Sequence, residues 1–358
     1  MADKIKCGVL GAGWWATYAH VPALLSHPRA ELIAIQKTDR DRARKVAADF
    51  GIPHACTTAS ELLSIEGLQA VVISSSPHLH HEQAAAALRM GKHVLIEKPM
   101  TLTTSQAKDL IELAEKCNLQ FLISCPWHYT SHAAAARRMI RDGNLGEIRM
   151  ISVLMTNPVS HLIRGNGVTP THAVHDAYLH PRVTTYSDPV IAGGGQIYAQ
   201  VSHVAAYLAF LLGVGANEVF ARFHKDGAAL DIYDTLDLRM QNGAIVAIAS
   251  TGATSTSLRT YEMRIFGTEG MIYLDLWRGT MEYVSMSGER QPFPDLNPED
   301  VYPHQAPAVN LIDSIFDASC NRSPAILGVV AMETIEAASI SASSGRNVLV
   351  SSLVEQSV

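Results

Sequence analysis

The sequence predicts an α/β protein of two domains: a doubly wound parallel sheet, followed by an α+β domain with a large, open, mostly antiparallel sheet. Two observations support this prediction. In the first third of the chain, short apolar runs alternate with helical patterns, which is typical of βαβ units. Later strand-like runs follow one another directly and are joined by hairpin signals such as Gln241-Asn242-Gly243. The length of 358 residues also exceeds the size at which a single core keeps growing.

The first domain, residues 1–125, is predicted from five strands and five helices. The apolar runs that indicate strands are 5–10, 31–36, 70–74, 94–97 and 121–125. The helical patterns between them are 14–26, 39–50, 60–63, 82–90 and 105–118. Because right-handed crossovers join successive strands of this kind, the sheet should be parallel.

The second domain, residues 126–358, begins with a predicted helix at 131–142 and a strand at 147–155. Further strands are predicted at 218–224, 235–240, 245–251, 260–266 and 271–276, with helices at 306–318 and 329–344. An antiparallel sheet that helices cover on one face leaves the other face open to a partner. We therefore expect a homodimer or homotetramer that assembles through the open sheet.

Composition excludes several classes of protein. A net charge of −6 without a long basic run argues against nucleic-acid binding. The first residues show no apolar signal region, and no later apolar run is long enough to span a bilayer, so we expect a cytoplasmic protein without a membrane partner. The five cysteines have no paired spacing, which predicts free thiols and neither disulfides nor a zinc site.

The turn after the first strand carries a phosphate-binding pattern. Gly11 permits a tight turn, Gly13 lets backbone N–H groups approach a pyrophosphate, and Ala16 allows close packing of helix on strand. Trp14 and Trp15 continue from this turn into the helix and are assigned to the same site. The pattern predicts a dinucleotide cofactor, NAD or NADP.

The end of the second strand bears on the choice between NAD and NADP. An NAD site usually has an acidic residue there to hold the ribose 2′-OH. This chain has Lys37, followed by Thr38, and a cation with a hydroxyl suits a 2′-phosphate, which favours NADP. In the alternative interpretation, Asp39 only caps the next helix and Lys37 is solvated.

A polar turn, Ser74-Ser75-Ser76-Pro77-His78-Leu79-His80, follows the strand at 70–74 and opens a helix. We expect Ser75 and His80 to line the cofactor side of the crevice. The histidines here are crowded at a helix start with no matching carboxylates, so no metal site is predicted.

The run His93-Val94-Leu95-Ile96-Glu97-Lys98-Pro99 indicates a buried strand that delivers two charged side chains at its carboxyl end. Open α/β sheets bind their ligands at such ends. Lys98 in a dry crevice could exchange a proton near neutral pH, with Glu97 beside it as a hydrogen-bond acceptor. The alternative is a Glu-Lys pair that only solvates a loop.

Together, the glycine-rich turn, the segment at 76–80 and the Glu-Lys-Pro strand end resemble the glucose-fructose oxidoreductase / inositol dehydrogenase / MocA family. The resemblance implies a Rossmann domain, an α+β domain, a nicotinamide cofactor over the Glu-Lys-Pro strand and a polyhydroxylated substrate between the domains. It also implies that Lys98 touches the reacting hydroxyl and that Glu97 lies near the nicotinamide ribose. A cis peptide before Pro99 is compatible with it.

The segment from Gly193-Gly194-Gly195 to His203 both matches the family pattern and departs from it. His203 matches, but the aspartate that the family carries four residues earlier is Ala199 here. Lys98 and His203 must then share the handling of the hydroxyl proton, and His203 is the better base near neutral pH. Tyr198 and Gln200 could orient the substrate. The alternative is a His203 that only packs the helix.

After the last strand of the first domain, Trp127 and His128 stand where family members often carry Arg or Asn facing the cofactor. They could stack on or hydrogen-bond to ligands, or they could be a core Trp beside a surface His.

Residues 156–195 form a long segment of weak periodicity, which suggests a substrate lid or a subunit contact. In a lid, Arg164 or Arg182 could pair with an acidic group of the substrate. A metal site at His172-x-x-His175-Asp176 is disfavoured, since no helix or strand frames it.

Three functions remain at this stage. The first is an NAD(P)-dependent oxidoreductase that acts on a ring hydroxyl or ketone of a sugar, cyclitol or related, possibly acidic, carbohydrate. The second is a glycoside hydrolase in the same fold that uses NAD for oxidation, elimination and re-reduction. The third is a cofactor-binding protein without catalysis.

Overall fold

Two sheets organise the chain in this computed structural model, which describes residues 4–166 and 177–353. The strands of the first sheet are β1 (Ile5–Leu10), β2 (Ala30–Gln36), β3 (His54–Cys56), β4 (Ala70–Ile73), β5 (His93–Ile96) and β6 (Phe121–Ile123). They pair in the order β3-β2-β1-β4-β5-β6, and every pairing is parallel. The order reverses beside β1, which places a ligand crevice at the carboxyl ends of β1 and β4.

Helices connect these strands as the sequence predicts. They are α1 (Val21–Ser26), α2 (Arg40–Asp49), α3 (Ala59–Leu63), α4 (His80–Arg89) and α5 (Thr104–Cys117). A π-helical turn, Ala16–His20, precedes α1. Strand β3 was not predicted from the sequence, because it has three residues, of which only Cys56 is buried. The doubly wound parallel sheet is confirmed.

The second sheet has nine strands. They are β7 (Ile148–Thr156), β8 (Ala216–His224), β9 (Tyr233–Met240), β10 (Ile245–Thr251), β11 (Thr260–Gly267), β12 (Gly270–Asp275), β13 (Thr280–Ser285), β14 (Arg290–Pro292) and β15 (Val348–Leu349). Their order is β14-β13-β12-β11-β7-β10-β9-β8-β15. Only the β7–β10 pair is parallel, so the predicted mostly antiparallel sheet is confirmed.

The second half of the chain also contains helices, some of which pack on this sheet. The described helices there are α6 (Ser131–Arg141), α7 (Ser160–Ile163), α8 (Thr184–Ser187), α9 (Pro189–Ala192), α10 (Ser202–Leu212), α11 (Pro298–Val301), α12 (Ala306–Phe316) and α13 (Ile326–Ser344). A second π-helical turn, Ile197–Val201, precedes α10. The helix α13 packs on β8, and α10 lies between α13 and α6.

The helix α12 returns to the first sheet although it follows the second sheet in the sequence. Its residues Ala308, Leu311 and Ile312 are buried in a core that also contains Val72 and Leu95 of β4 and β5. This packing joins the C-terminal part of the chain to the Rossmann side of the crevice.

One described helix, α13, is long and apolar enough to cross a membrane by its 19 residues and a hydropathy of 1.4. The prediction that no apolar run reaches this length is therefore wrong. Half of its apolar stretch is buried within the protein, which fits a core helix. The cytoplasmic location stays a prediction.

Two acidic side chains, Asp231 and Asp234, are buried near the start of the second π-helical turn, and Asp231 binds it. The carboxylate of Asp231 accepts hydrogen bonds from the backbone N–H groups of Gly195, at 2.9 Å, and Ile197, at 2.7 Å. Nearby Asp234 on β9 is 2% exposed, and neither of its carboxyl oxygens has a hydrogen-bond partner. Burial, and then the charge of Asp231, raises the pKa of Asp234 to about 9. Asp234 is therefore protonated at neutral pH.

This proton makes stability depend on pH. Because the pKa of Asp234 is raised from 3.8 to about 9 on folding, the unfolded chain loses a proton that the folded protein keeps between these values. The free energy of unfolding then falls as the pH rises through that window, by about 1.4 kcal/mol per pH unit at most. Asp234→Asn should remove this pH dependence. The difference in thermal stability between the variant and the wild type should therefore grow in favour of the variant as the pH rises from 5 to 8.

Differential scanning fluorimetry at several pH values measures the effect. Asp237→Asn, an exposed position on the same strand, is the matched control and should follow the wild type. A stability difference between Asp234→Asn and wild type that stays constant with pH would contradict a proton on Asp234.

Candidate active site

One cavity of about 1780 Å³ runs from the carboxyl ends of the parallel strands to the second sheet. Every residue that the sequence analysis assigned to catalysis or to the cofactor lines this cavity. These residues are Gly11, Gly13, Trp14, Trp15, Lys37, Thr38, Ser75, His80, Glu97, Lys98 and His203. The cavity therefore unites residues that lie almost 200 positions apart in the sequence.

The glycine-rich turn has the shape that a diphosphate needs. Gly11 has a φ of 79°, and a Cβ there would lie 2.4 Å from the Cα of Ser75. A Cβ on Gly13 would meet only the carbonyl oxygen of Gly11, at 3.8 Å, so its outer side is open. Backbone and space at this turn fit the pyrophosphate of a dinucleotide cofactor.

Cations surround the end of β2. Lys37 is partly buried and donates a hydrogen bond from Nζ to the carbonyl oxygen of Ala12, at 3.2 Å. Burial, and then the charges of Arg182 and Arg42, lowers the pKa of Lys37. Asp39 caps α2 by accepting from the backbone N–H of Arg42, as the alternative interpretation expected. Lys37, however, belongs to the cavity wall and is not simply solvated.

His80 ties together the two turns that carry the central polar residues. Its ring nitrogens lie 2.9 Å from the carbonyl oxygen of Pro99 and 3.1 Å from that of Ser75. Burial lowers the pKa of His80, and the two carbonyl contacts oppose this shift. The residue thus holds the Glu-Lys-Pro turn against the turn that follows β4.

Glu97 is a buried carboxylate held by three donors. Its Oε1 accepts from Nε1 of Trp15 and from Nε2 of His20, both at 2.8 Å, and its Oε2 accepts from the backbone N–H of Lys98 at 3.3 Å. Burial alone would raise the pKa of Glu97, but the hydrogen bond and the charge of His20 outweigh it and the pKa is lowered. Glu97 is therefore an anion in a fixed orientation.

His20 was not singled out from the sequence. It follows Trp15 by five residues at the end of the π-helical turn Ala16–His20, and regular α-helical spacing would not place both side chains at one carboxylate. No local signal in the sequence marks that turn.

Lys98 connects the two halves of the cavity. Its Nζ donates a hydrogen bond to the carbonyl oxygen of Ala199 at 2.7 Å. Burial lowers the pKa of Lys98, although Glu97 opposes this shift. The peptide between Lys98 and Pro99 is cis.

His203 reaches the same space from α10. The residue is 5% exposed, its ring packs edge-on against Trp127 at 5.2 Å, and its buried Nδ1 has no hydrogen-bond partner among the residues that the structure describes. Nε2 is thus the ring nitrogen that remains toward the cavity. Burial, and then the charges of Lys98 and His128, lowers the pKa of His203 well below its ordinary value, so the imidazole is neutral.

Of the five residues that were predicted to bind the substrate, three line the cavity and two do not. Trp127, Tyr198 and Gln200 line the cavity, whereas His128 and Arg164 do not. The hydroxyl of Tyr198 donates to the carbonyl oxygen of Leu102 at 3.0 Å, and Oε1 of Gln200 accepts from Nδ2 of Asn157 at 3.1 Å.

The assignments of His128 and Arg164 to the substrate need correction. His128 is 1% exposed, stacks on Phe210 at 4.6 Å and has Nδ1 at 2.9 Å from the Ser323 hydroxyl. Burial lowers the pKa of His128 to about 3. In the short 3-10 turn Pro126–Tyr129, Trp127 therefore faces the cavity while its neighbour turns into the core. Arg164 forms an ion pair with Asp226 instead of facing a ligand.

Aromatic side chains form the wall between the two sheets. Tyr302 packs against Trp127 at 4.5 Å and against Trp277 at 5.4 Å, and Trp15 lies 6.2 Å from Tyr302. All four tryptophans of the chain line the cavity. Trp277 and Tyr302 come from the second half of the sequence, where nothing local marked them as site residues.

The long segment 156–195 is only partly described. From residue 177 on, it runs along the crevice, where Leu179, Arg182 and Tyr186 line the cavity. The possible metal ligands His172, His175 and Asp176 lie outside the described residues. Within the described residues, no group of three or more His, Cys, Asp or Glu side chains is arranged to hold a metal ion.

Comparison with known proteins supports this architecture at the level of the family. Residues 5–124 match the GFO/IDH/MocA model, an oxidoreductase family with an NAD-binding Rossmann fold, and residues 133–273 match the C-terminal domain of the same family. A 1,5-anhydro-D-fructose reductase of Ensifer adhaerens is 28% identical over 75% of this chain and 74% of its own length.

Two further similarities differ in extent. A dTDP-3,4-didehydro-2,6-dideoxy-alpha-D-glucose 3-reductase of Streptomyces antibioticus is 36% identical, but the match covers 44% of this chain and about half, 48%, of that protein. The structure of a levoglucosan dehydrogenase in complex with NADH and levoglucosan has a TM-score of 0.79 at 18% identity, covering 97% of this chain and 100% of that one. At this identity the likeness shows a common fold. With both of its domains matched, the chain belongs to the GFO/IDH/MocA family of oxidoreductases.

Proposed function

We propose that this protein is an NAD(P)-dependent oxidoreductase that moves a hydride between nicotinamide and a ring hydroxyl or ketone of a sugar, cyclitol or related carbohydrate. The observation that carries the proposal is the convergence of Lys98 and His203 on one cavity that continues to the glycine-rich turn. The cofactor, when bound, supplies or accepts the hydride. Relatives named as sugar reductases support the same substrate class.

Side chains of the protein accept and return the proton of the substrate hydroxyl. In the oxidising direction, the substrate hydroxyl would give its proton to Nε2 of His203 or to Nζ of Lys98; in the reducing direction, the same atoms would return it. Burial lowers the pKa of His203, so its ring is unprotonated before the reaction, and the same burial makes it a weaker base than an exposed histidine. Glu97 remains negatively charged beside Lys98. It does not accept the proton of the substrate hydroxyl, because three donors already bind its carboxylate.

The backbone carbonyl oxygen of Ala199 orients Lys98 in place of the side-chain carboxylate that the family usually has at this position. At this position, where the family usually has a carboxylate, no acid is present to orient Lys98. The backbone oxygen accepts from Nζ at 2.7 Å instead, which aims the amine without adding a negative charge. A carbonyl raises the pKa of the amine less than a carboxylate would, so it leaves Lys98 the better proton donor.

The proposed reaction is tested with a panel of sugars, cyclitols and glycosides in the presence of NAD or NADP. Net change in the nicotinamide absorbance supports the oxidoreductase. Release of an aglycone with only catalytic amounts of cofactor would support the glycoside hydrolase instead. Cofactor binding without any turnover would support a non-catalytic protein.

Lys98→Ala tests the amine directly. General acid–base catalysis contributes roughly a hundred- to ten-thousand-fold, so kcat should fall by this order while the Kd of the cofactor changes little. Lys98→Met, which keeps the apolar stem, should show the same loss if the amine and not the packing matters. An active Lys98→Ala enzyme would remove this mechanism.

We further propose NADP as the preferred cofactor. Lys37, Arg42 and Lys45 line the part of the cavity beyond β2, where a 2′-phosphate would add negative charge. Lys37→Asp should change the ratio of the Kd values for NADP and NAD by roughly ten- to hundred-fold toward NAD, since a hydrogen bond to a charged group is worth about 1.5–3 kcal/mol.

Fluorescence titration with both cofactors measures this ratio. Arg44→Gln, on α2 but away from the cavity, should leave the ratio unchanged. Equal shifts of both affinities in Lys37→Asp would contradict a role in selecting the 2′-phosphate.

We also propose that the protein forms a homodimer or homotetramer through the uncovered face of the second sheet. Met150, Leu154 and Ile245, on β7 and β10, are 40%, 42% and 48% exposed there. Exposed apolar side chains in one sheet face favour association.

The double variant Met150→Glu and Leu154→Glu should lower the mass measured by light scattering to that of the monomer. Leu25→Glu, which changes an equally exposed leucine on α1, should not, and an unchanged mass in the double variant would refute the interface.

A further inference from the structure

Arg259 is a cation in the cavity wall, and no described residue forms an ion pair with it. It precedes β11, is partly buried, and lines the cavity on the side of the second sheet. Its Cζ lies 3.5 Å from the centre of the Trp277 ring. In the part of the chain that the structure describes, no carboxylate lies within ion-pair distance of its guanidinium. Neighbouring Arg278, in contrast, is 3.5 Å from Oδ2 of Asp275.

The guanidinium of Arg259 packs on the face of Trp277. Its Cζ lies 3.5 Å from the centre of the indole ring, a cation–π contact that leaves the N–H groups to hydrogen-bond elsewhere. No acceptor from the described residues takes these N–H groups. Burial lowers the pKa of Arg259, which reflects the loss of water around an uncompensated charge.

Arg259 also stands at a defined place relative to the reacting residues. Trp277 contacts Trp127 at 5.0 Å, and Trp127 contacts His203 at 5.2 Å. The aromatic wall thus leads from the guanidinium to the imidazole. A ligand group at Arg259 would belong to the substrate, because the turn and the Lys37 region account for the cofactor's phosphates.

We infer that Arg259 is a specificity residue that binds a carboxylate of the substrate, so that the protein acts on a sugar acid such as a uronate or aldonate. The inference rests on the proposed function and narrows its substrate class. A planar carboxylate can accept two parallel N–H bonds from one guanidinium. Glu299 also lines this cavity, and its negative charge repels a doubly charged phosphate more strongly than a singly charged carboxylate. The faces of Trp127 and Trp277 offer apolar surface to the sugar ring.

The test compares matched pairs of substrates, each a neutral sugar and its uronic acid, with kcat/KM measured in the presence of NADP. The wild type should prefer the acid by roughly ten- to hundred-fold, as expected for a charge-assisted bidentate contact. Arg259→Gln should lose this preference, mainly through KM, and Arg259→Lys should keep part of it. Arg141→Gln, which removes an exposed arginine at the end of α6, is the control and should behave as wild type.

Binding is measured separately, through the intrinsic fluorescence of the four tryptophans in the complex with NADP. Quenching by sugar acids that is weaker in Arg259→Gln supports the site without requiring turnover. Efficient turnover of neutral sugars, with an acid preference that Arg259→Gln leaves unchanged, overturns the inference but keeps the proposed function. Binding of sugar acids at Arg259 without hydride transfer overturns the function but keeps the site. Tighter binding of sugar phosphates than of sugar acids overturns the choice of a carboxylate.

Discussion

The hydrogen bond from Lys98 to the carbonyl oxygen of Ala199 joins the two halves of the site, and the surrounding buried hydrogen bonds hold both of its ends in position. Its donor stands at the carboxyl end of β5, and its acceptor stands in the π-helical turn before α10. The first sheet supplies the cofactor crevice and the second supplies the wall for the substrate. Without this contact, the amine would have no fixed position between a nicotinamide and a sugar ring, and catalysis depends on such positioning.

Each end of that hydrogen bond is anchored by buried polar groups. On the side of the first sheet, Glu97 is held by Trp15 and His20, and His80 connects the turn after β4 with Pro99. On the side of the second sheet, Asp231 accepts two backbone N–H groups at the start of the π-helical turn. Buried polar networks of this kind are rigid when their hydrogen bonds are satisfied, and they hold the reacting atoms in register.

Charge is distributed unevenly along the cavity. Cations stand at both ends, Lys37 with Arg42 at the end of β2 and Arg259 at the second sheet, whereas the centre has a buried carboxylate and a neutral imidazole beside Lys98. A long cavity of this composition suits two anionic ligands that meet in the middle. Partial exclusion of water at the centre lowers the pKa values of both Lys98 and His203. For Lys98 this shift is toward neutral pH, whereas for His203 it is away from neutral pH and keeps the imidazole uncharged.

The sequence by itself determined the alternation of strands and helices, the glycine-rich turn and the strand that ends in Glu97 and Lys98, because these signals are local patterns of polarity and turn chemistry. It also placed Lys98 and His203 together, but only through a resemblance to a family. The tertiary structure alone decided that His20 reaches Glu97, that Trp127 faces the cavity while His128 turns away, and that Arg259 and Trp277 complete the wall. Such contacts join residues far apart in the chain, and their geometry follows from how whole sheets and helices pack, which no local period encodes.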